Sequence, residues 1–474
     1  MSNFFIMSPL RHRPESYYNK CAYPNRIETF MKIRLSDHFT YQRLLRFALP
    51  SICMTIFTSI YSVVDGFFVS NYAGKNALAA VSFIYPFIIV FGAVGYMLGT
   101  GGTALISIRL GRGDKEKANR TFSMLVYVTI ALGIIFAVLG IVSIRQVALL
   151  LGANESILAP AVTYGTILLI GLPAFMLQYE FQSLMIAAEK PKLGLYITIM
   201  SGLSNMLLDW LLVGVLKMGI SGAAIATDVS ELVGGVFPVL YFAGKNSSPL
   251  RLIPARIDFA DLGRAMANGS SEYITSMSVS VVSMLYNAQL IKYSGADGVA
   301  AYGVLLYVSE IFLAIFEGYA ISTAPVIGYH YGARNQKELK NVFGMSIRIM
   351  GICAGAMLIA GEVFAGAISG IFVGYDEGLM KMTVHAFRIF SFSFLFSAIP
   401  VYSSAFFTAL NNGALSALIS FARIFIFEIG SVLLLPMVMG LDGIWLSMVV
   451  AELAASILSI CIVVRKRKTL FSPL

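Results

Sequence analysis

Nearly the whole chain is taken up by apolar stretches of about 20 residues or more, each long enough to cross a hydrocarbon core of about 30 Å as a helix. In lipid every backbone N–H and C=O must be satisfied within the protein, so stretches of this length span as helices. On that criterion twelve spans are expected, at 45–70, 78–108, 121–144, 158–188, 193–216, 219–243, 266–292, 298–330, 342–372, 380–410, 414–438 and 441–464. Hydrophobic residues make up 58% of the 474 and charged residues 12%, whereas a soluble domain carries about a quarter charged. The fold class is therefore an all-α polytopic membrane protein. Several spans exceed one perpendicular crossing, which calls for tilt, helical extension beyond the membrane, or bends at Pro50, Pro86, Pro173, Pro238, Pro325, Pro400 and Pro436.

Lys and Arg concentrate in cytoplasmic loops, and their distribution orients the spans. They gather before the first span (Arg11 to Arg46), after the second (Arg109, Arg112, Lys115, Lys117, Arg120) and after the fourth (Lys190, Lys192). They gather again after the sixth (Lys245, Arg251, Arg256, Arg264), the eighth (Arg334, Lys337, Lys340, Arg348) and the twelfth (Arg465, Lys466, Arg467, Lys468). The alternate loops receive only Lys75, Arg145, Lys217, Lys292 and Lys381. Both termini are thus expected in the cytoplasm, with the chain in the inner (cytoplasmic) cell membrane. The net charge of +9 is a topology signal, and no nucleic-acid partner is expected. Cys21, Cys53, Cys353 and Cys461 are widely spaced, and His12, His38, His330 and His385 show no metal-binding spacing. Neither a disulfide framework nor a zinc site is indicated. The first 30 residues contain no signal-peptide apolar core.

A shift of 221 residues brings the two halves into register. Tyr72 falls on Tyr293, Gly111 on Gly332, Phe122 on Phe343, Gly219 and Gly222 on Gly440 and Gly443, and Glu231-Leu232 on Glu452-Leu453. One offset running from the first span to the twelfth points to duplication of a six-helix unit. Six is even, so the repeat is parallel, with its axis along the membrane normal. The expected organisation is a tail at 1–40, an N-lobe at 41–245, a linker at 246–263, a C-lobe at 264–464 and a basic tail at 465–474.

Within the N-lobe, Asp65 and Asp209 sit deep in apolar stretches. A carboxylate in hydrocarbon costs at least ~2.5–3.5 kcal/mol and persists where it faces a cavity, an ion or a partner. Two in one lobe suggest a cation or proton site. Other deep acids are Glu180, Asp228, Glu231, Glu272, Glu310, Glu317, Glu362, Glu428 and Glu452, against only Arg388 and Arg423. The interior is therefore net acidic and suits cationic substrates, although some of these acids can be structural partners of the two arginines. Glu310 and Glu317 are spaced i, i+7 on one face and, with Glu180, are candidates for cavity lining. Glu231 and Glu452, which recur at the repeat offset, are expected to have a structural role in each lobe.

The chain resembles multidrug and toxin extrusion (MATE) transporters of bacterial type. The resemblance rests on Leu49-Pro50-Ser51 with Val64-Asp65-Gly66, on Ala188-Glu189-Lys190-Pro191-Lys192 and on Asn205-Met206-Leu207-Leu208-Asp209. It continues through Gly219 to Thr227 and through Ala324 to Ala333. It spans about residues 31 to 464, and Met31-Lys32-Ile33-Arg34 looks like a family start, so initiation at Met31 is an expectation. The resemblance implies two six-helix lobes, with drug efflux driven by proton or sodium influx. It also implies an N-lobe cation site that falls on Asp65, Asn205, Asp209 and Thr227, with sodium as one occupant. The residues themselves agree: Asn205 and Asp209 are i and i+4 on one helical face, Thr227 offers a hydroxyl, and two neighbouring carboxylates can share a proton. Relatives that carry acids in spans seven and ten are matched poorly here, because span ten has none at depth.

The reading is a cation-coupled antiporter, not an enzyme, that exports amphipathic and mainly cationic compounds by alternating access. It would work as a monomer in the bilayer, without a cofactor beyond H+ or Na+. A flippase for lipid-linked saccharides is the alternative, but it would need a cationic cavity for pyrophosphate. An intramembrane hydrolase would need a nucleophile–base or metal constellation, and no HExxH or Ser/His arrangement appears at span depth.

Overall fold

The computed structural model describes residues 33–471 apart from Gly74, Leu151, Gly152 and Asn154. The expected start at Met31, the basic residues ahead of Ile33 and the last residues of the basic tail lie outside the described residues. From Leu35 onward the chain forms one compact unit, and among the described residues it contains helices and no strand.

The helices run in the expected order. They are α1 (Tyr41–Phe68), α2 (Lys75–Gly111), α3 (Lys115–Leu150), α4 (Glu155–Ala187), α5 (Pro191–Leu208) and α6 (Gly219–Ala243) in the first half. Next comes one helix, Phe259–Gly332, of 74 residues, which if straight would reach about 110 Å. Gly295 breaks it with φ 66° and ψ −148°, a left-handed conformation that costs glycine little. The break gives α7 (259–294) and α8 (296–332). They are followed by α9 (Gln336–Val373), α10 (Glu377–Ala409), α11 (Gly413–Phe421, resumed over Ile429–Met439) and α12 (Leu441–Phe471). Eleven of these helices, counting α7 and α8 as one, are long and apolar enough to cross a membrane. The break at Gly295 makes the crossings twelve.

The backbone carries the repeat as well. Gly219 and Gly440 have φ of +59° and +61°, and Gly113 and Arg334, also one repeat apart, have +82° and +55°. The proline positions lie inside helices that continue through them. The local departures from α geometry are three π-helical segments without proline: Val69–Ala73 after α1, Asp209–Val215 after α5 and Ala422–Glu428 within α11. Two of them begin at or contain an intramembrane charge, Asp209 and Arg423, and the third follows Asp65 by one turn. Such bulges recur at functional sites because they turn a side chain off the regular helical face.

The two halves meet through small residues. A Cβ at Gly101 would strike Ala265 in α7, one at Gly269 would strike Met97 in α2, and one at Gly332 would strike Ile108. Gly318 leaves room for Ser51 to Thr55 of α1, and Thr55 Oγ1 donates to the Ala314 carbonyl at 2.7 Å. Without a hydrophobic drive between helices in lipid, this close approach of backbones is what holds them together. Gly99 packs on α4 and Gly102 on Leu125, as small-residue packing positions do. All these inter-half contacts lie toward the face that carries the basic loops. There Arg109 binds Asp261 at 2.6 Å and reaches Thr121. Across the same face Leu35 N–H donates to Glu189 at 3.0 Å, and Phe39 N–H donates to Glu338 at 2.8 Å. The linker between the halves is pinned to α3, with Arg251 and Ile253 N–H groups donating to Asn119 and Ser123.

Gly269→Val places a branched side chain where only backbone fits. It is expected to destabilise the closed basic face by about 1–3 kcal/mol, the usual cost of overpacking. Thermal unfolding in detergent measures it, and an unchanged midpoint would contradict the close packing of α2 against α7.

Candidate functional site

Asp65 lies ten residues beyond Thr55 on α1, or about 15 Å along the helix. The site is therefore displaced from the closed face toward the opposite side. The Asp65 and Asp209 carboxyl groups face each other at hydrogen-bonding range, and Asn205 reaches Asp65 as well. Asp209 and Asn205 are buried, at 0% and 2% exposure, while Asp65 is half-buried. Asp65 is thus the accessible member and Asp209 the one behind it. Both Asp209 oxygens, one oxygen of Asp65 and the Asn205 carbonyl lack a hydrogen-bond donor. Ionised carboxylates only accept hydrogen bonds, so two facing each other require a proton or a cation between them. None of the ion pairs among the described residues supplies a basic partner to either aspartate.

Around this pair the N-lobe stays acidic. Glu231 lies within electrostatic range of Asp65 and Asp228, and Gly171 leaves space for the Asp228 carboxyl. Tyr61 meets Gln178 near Asp65. Thr227 is not joined to the carboxylates by a hydrogen bond; its hydroxyl donates to the Ala223 carbonyl of its own helix at 3.0 Å. That back-bond leaves the hydroxyl oxygen as an acceptor only, a weaker contribution than the resemblance implies.

Glu310 and Glu317 are exposed on α8, as cavity lining requires. Glu180 is not: its side chain is 0% exposed, neither oxygen has a hydrogen-bond partner, and it is enclosed beside Thr129 of α3. Its backbone packs on Gly99, and the buried side chain lies within the helix packing. Glu231 and Glu452, for which a structural role in each lobe is expected, have different partners. Glu452 receives Arg423 Nε and Nη2 at 2.9 and 2.6 Å, while Glu231 has no basic partner among the described ion pairs.

Two aromatic residues not singled out from sequence lie within electrostatic range of these acidic groups. Tyr179 is within range of Glu231 on one side and of Glu310 and Glu317 on the other. Tyr96 lies near Glu272 and Glu317, and the two rings are 5.7 Å apart. Aromatic faces beside carboxylates accept organic cations. The available signal was the repeat, because Tyr96 occupies the position that Glu317 holds in the other half.

Twelve apolar spans in duplicated lobes, with uncompensated carboxylates buried between helices, define a membrane transporter rather than an enzyme. The MatE family profile matches residues 50–211 and 273–433, which together are more than half of the chain, and the protein belongs to the MATE family. Multidrug export protein MepA of Staphylococcus haemolyticus (strain JCSC1435) is 23% identical over 440 residues, covering 91% of this chain and 94% of that protein. MepA of Staphylococcus aureus (strain N315) is 23% identical over 428 residues, covering 89% and 93%. In fold the chain is similar to a solved structure described as "Outward-facing conformation of a multidrug resistance MATE family transporter of the MOP superfamily", with a TM-score of 0.86, 21% identity and coverage of 91% and 97%.

Asp209→Asn provides an amide donor to Asp65 where the native pair needs a shared proton. The expected result is a gain of about 1–3 kcal/mol, the cost of leaving a buried polar group unsatisfied. It is read from thermal unfolding of the purified protein. A loss of the same size would show that Asp209 is already satisfied by another group.

Proposed function

We propose that this MATE transporter is a cation-coupled antiporter that exports amphipathic, mainly cationic compounds by alternating access. The observation that carries the reading is the facing of Asp65 and Asp209 with no basic partner. A pair of acceptors at hydrogen-bonding range binds one proton between them, so the proton is favoured over sodium as coupling ion. With Asn205 and Thr227 the same site offers amide and hydroxyl oxygens, which keeps sodium as the competing occupant. The named relatives, multidrug export proteins, support a small-molecule substrate. The exposed Glu310 and Glu317, with Tyr96 and Tyr179 beside them, support a cationic one. The acidic junction disfavours the lipid-linked saccharide flippase, whose pyrophosphate calls for basic residues.

The concentration of Lys and Arg on the closed face supports a cytoplasmic assignment of that face and of both termini. The form described is then closed to the cytoplasm, with the carboxylate pair displaced toward the outside. Filling the pair removes its repulsion, changes how α1 and α5 pack, and releases substrate from the junction. Lobes at 41–245 and 264–464 joined by the linker 246–263 supply both halves of the site from one chain, which supports function as a monomer in the inner membrane.

Efflux of ethidium or DAPI from de-energised cells, on imposing first a pH gradient and then a sodium gradient, tests this reading. Wild type is expected to respond to one gradient, and Asp65→Asn to lose gradient-driven efflux while remaining in the membrane at normal abundance. An Asp65→Asn transporter that exports at the normal rate would remove Asp65 from the coupling site.

A further inference from the structure

The repeat allows the two lobes to be compared atom group by atom group. The N-lobe residues Asp65, Asn205, Asp209 and Glu231 fall on Tyr286, Ile426, Gly430 and Glu452. Only the glutamate is kept. In the N-lobe Glu231 lies near Asp65 and Asp228, and no ion pair among the described residues gives it a basic partner. In the C-lobe Glu452, 1% exposed, holds the Arg423 guanidinium through Nε and Nη2. Arg423 stands where the N-lobe has Gly202, and it is carried by the π-helical segment Ala422–Glu428. Tyr286, the counterpart of Asp65, is buried within range of Glu428 and Glu452 and stacks on Tyr302 at 4.8 Å.

Arg423 stands among more acids than its partner alone. Its side chain is 15% exposed, and Glu428 and Glu317 lie within its electrostatic range. Glu272 also senses it. The second Glu452 oxygen has no hydrogen-bond partner, so no other donor fixes the pair. The guanidinium therefore cancels the charge of Glu452 beside these further carboxylates.

We propose that Arg423 is a tethered counter-cation which sets the charge that a substrate can bring to the lobe junction. Held on Glu452, it occupies in the C-lobe the role left to an exchangeable cation in the N-lobe. It cancels the Glu452 charge that would otherwise add to the negative field of Glu272 and Glu317, so that singly charged compounds bind there without a large penalty relative to doubly charged ones. This rests on the reading of the substrates as cations.

The test uses the full-length transporter in lipid nanodiscs and fluorescence titration with ethidium, a monocation, and DAPI, a dication. A unit charge about 10 Å away in a medium of effective dielectric about 20 changes the affinity of a monocation on the order of tenfold, and that of a dication on the order of a hundredfold. Arg423→Gln is expected to tighten ethidium about tenfold and DAPI about a hundredfold. Glu452→Gln, which leaves the guanidinium uncompensated, should weaken both in the same proportion. The double variant, which removes both charges, should return both affinities to near the wild-type values. If Arg423→Gln does not fold, Glu452→Gln and the double variant carry the test with the opposite sign. Equal shifts for the two dyes, no shift in either, or a double variant that stays displaced would overturn the proposal while leaving the antiporter reading intact. Wild type that binds neither dye would overturn the cationic-substrate reading, and the tethered counter-cation with it.

Discussion

An ionised group in hydrocarbon carries a cost that nothing in the lipid can offset, and the layout of this transporter follows from how each one is handled. Arg109 and Asp261 neutralise each other at the loop face at 2.6 Å. Arg423 and Glu452 do so inside the C-lobe. Asp65 and Asp209 have no such relief. Their facing carboxyls are the one place in the spans where two acceptors meet at hydrogen-bonding range among the described residues that we have placed in the site. On the proposed reading the missing positive charge comes from outside, and a site filled from outside responds to an ion gradient. The proposed coupling is in this sense a consequence of leaving a buried pair incomplete.

An ion that changes the charge of that pair matters to the substrate only if it shifts an equilibrium between two arrangements of the lobes. The closed face supplies one arrangement. Backbone contacts of Gly101, Gly269 and Gly332 gain dispersion over a broad surface without specific polar bonds. A few directional contacts are added at the rim, from Leu35 to Glu189 and from Phe39 to Glu338. Contacts of this kind can be lost together, because small residues leave no interdigitated side chains to disentangle. The directional bonds at the rim are part-buried and can be exchanged for water when the face opens.

The architecture was legible from the apolar runs because length alone decides whether a stretch spans. The repeat was legible because the turns that demand a left-handed residue, such as those at Gly219 and Gly440, recur at one offset. Asp65, Asn205 and Asp209 were legible for a related reason: a carboxylate so deep has few bland explanations, and the i, i+4 spacing puts Asn205 beside Asp209. Depth along a helix does not say which way a side chain points, however. Glu180 is as deep as Glu317 but turns into the core beside Thr129, while Glu317 turns outward. Thr227 likewise spends its hydroxyl proton on Ala223, which no pattern of residue types reveals. The π-helical segments at Asp209 and Arg423 rotate the register by a fraction of a turn, so face assignments made on a regular 3.6 period drift across them.

That rotation bears on why duplicated lobes came to differ in chemistry. The fifth helix of each lobe is bulged, α5 over Asp209–Val215 and α11 over Ala422–Glu428, eight residues earlier in the repeat, and each bulge carries a charged residue. A bulge presenting an acid beside a second acid makes a site that binds whatever cation is supplied. A bulge presenting arginine beside the retained glutamate makes a site that is already full, and stays full whatever the gradient. On the proposed reading the bulged fifth helix thus gives a variable charge on one side of the junction and a constant charge on the other. The proposed exchange depends on this asymmetry: were both lobes to titrate together, a driving cation would also be drawn to the carboxylates proposed to receive the substrate, and the two would compete at every site instead of being exchanged.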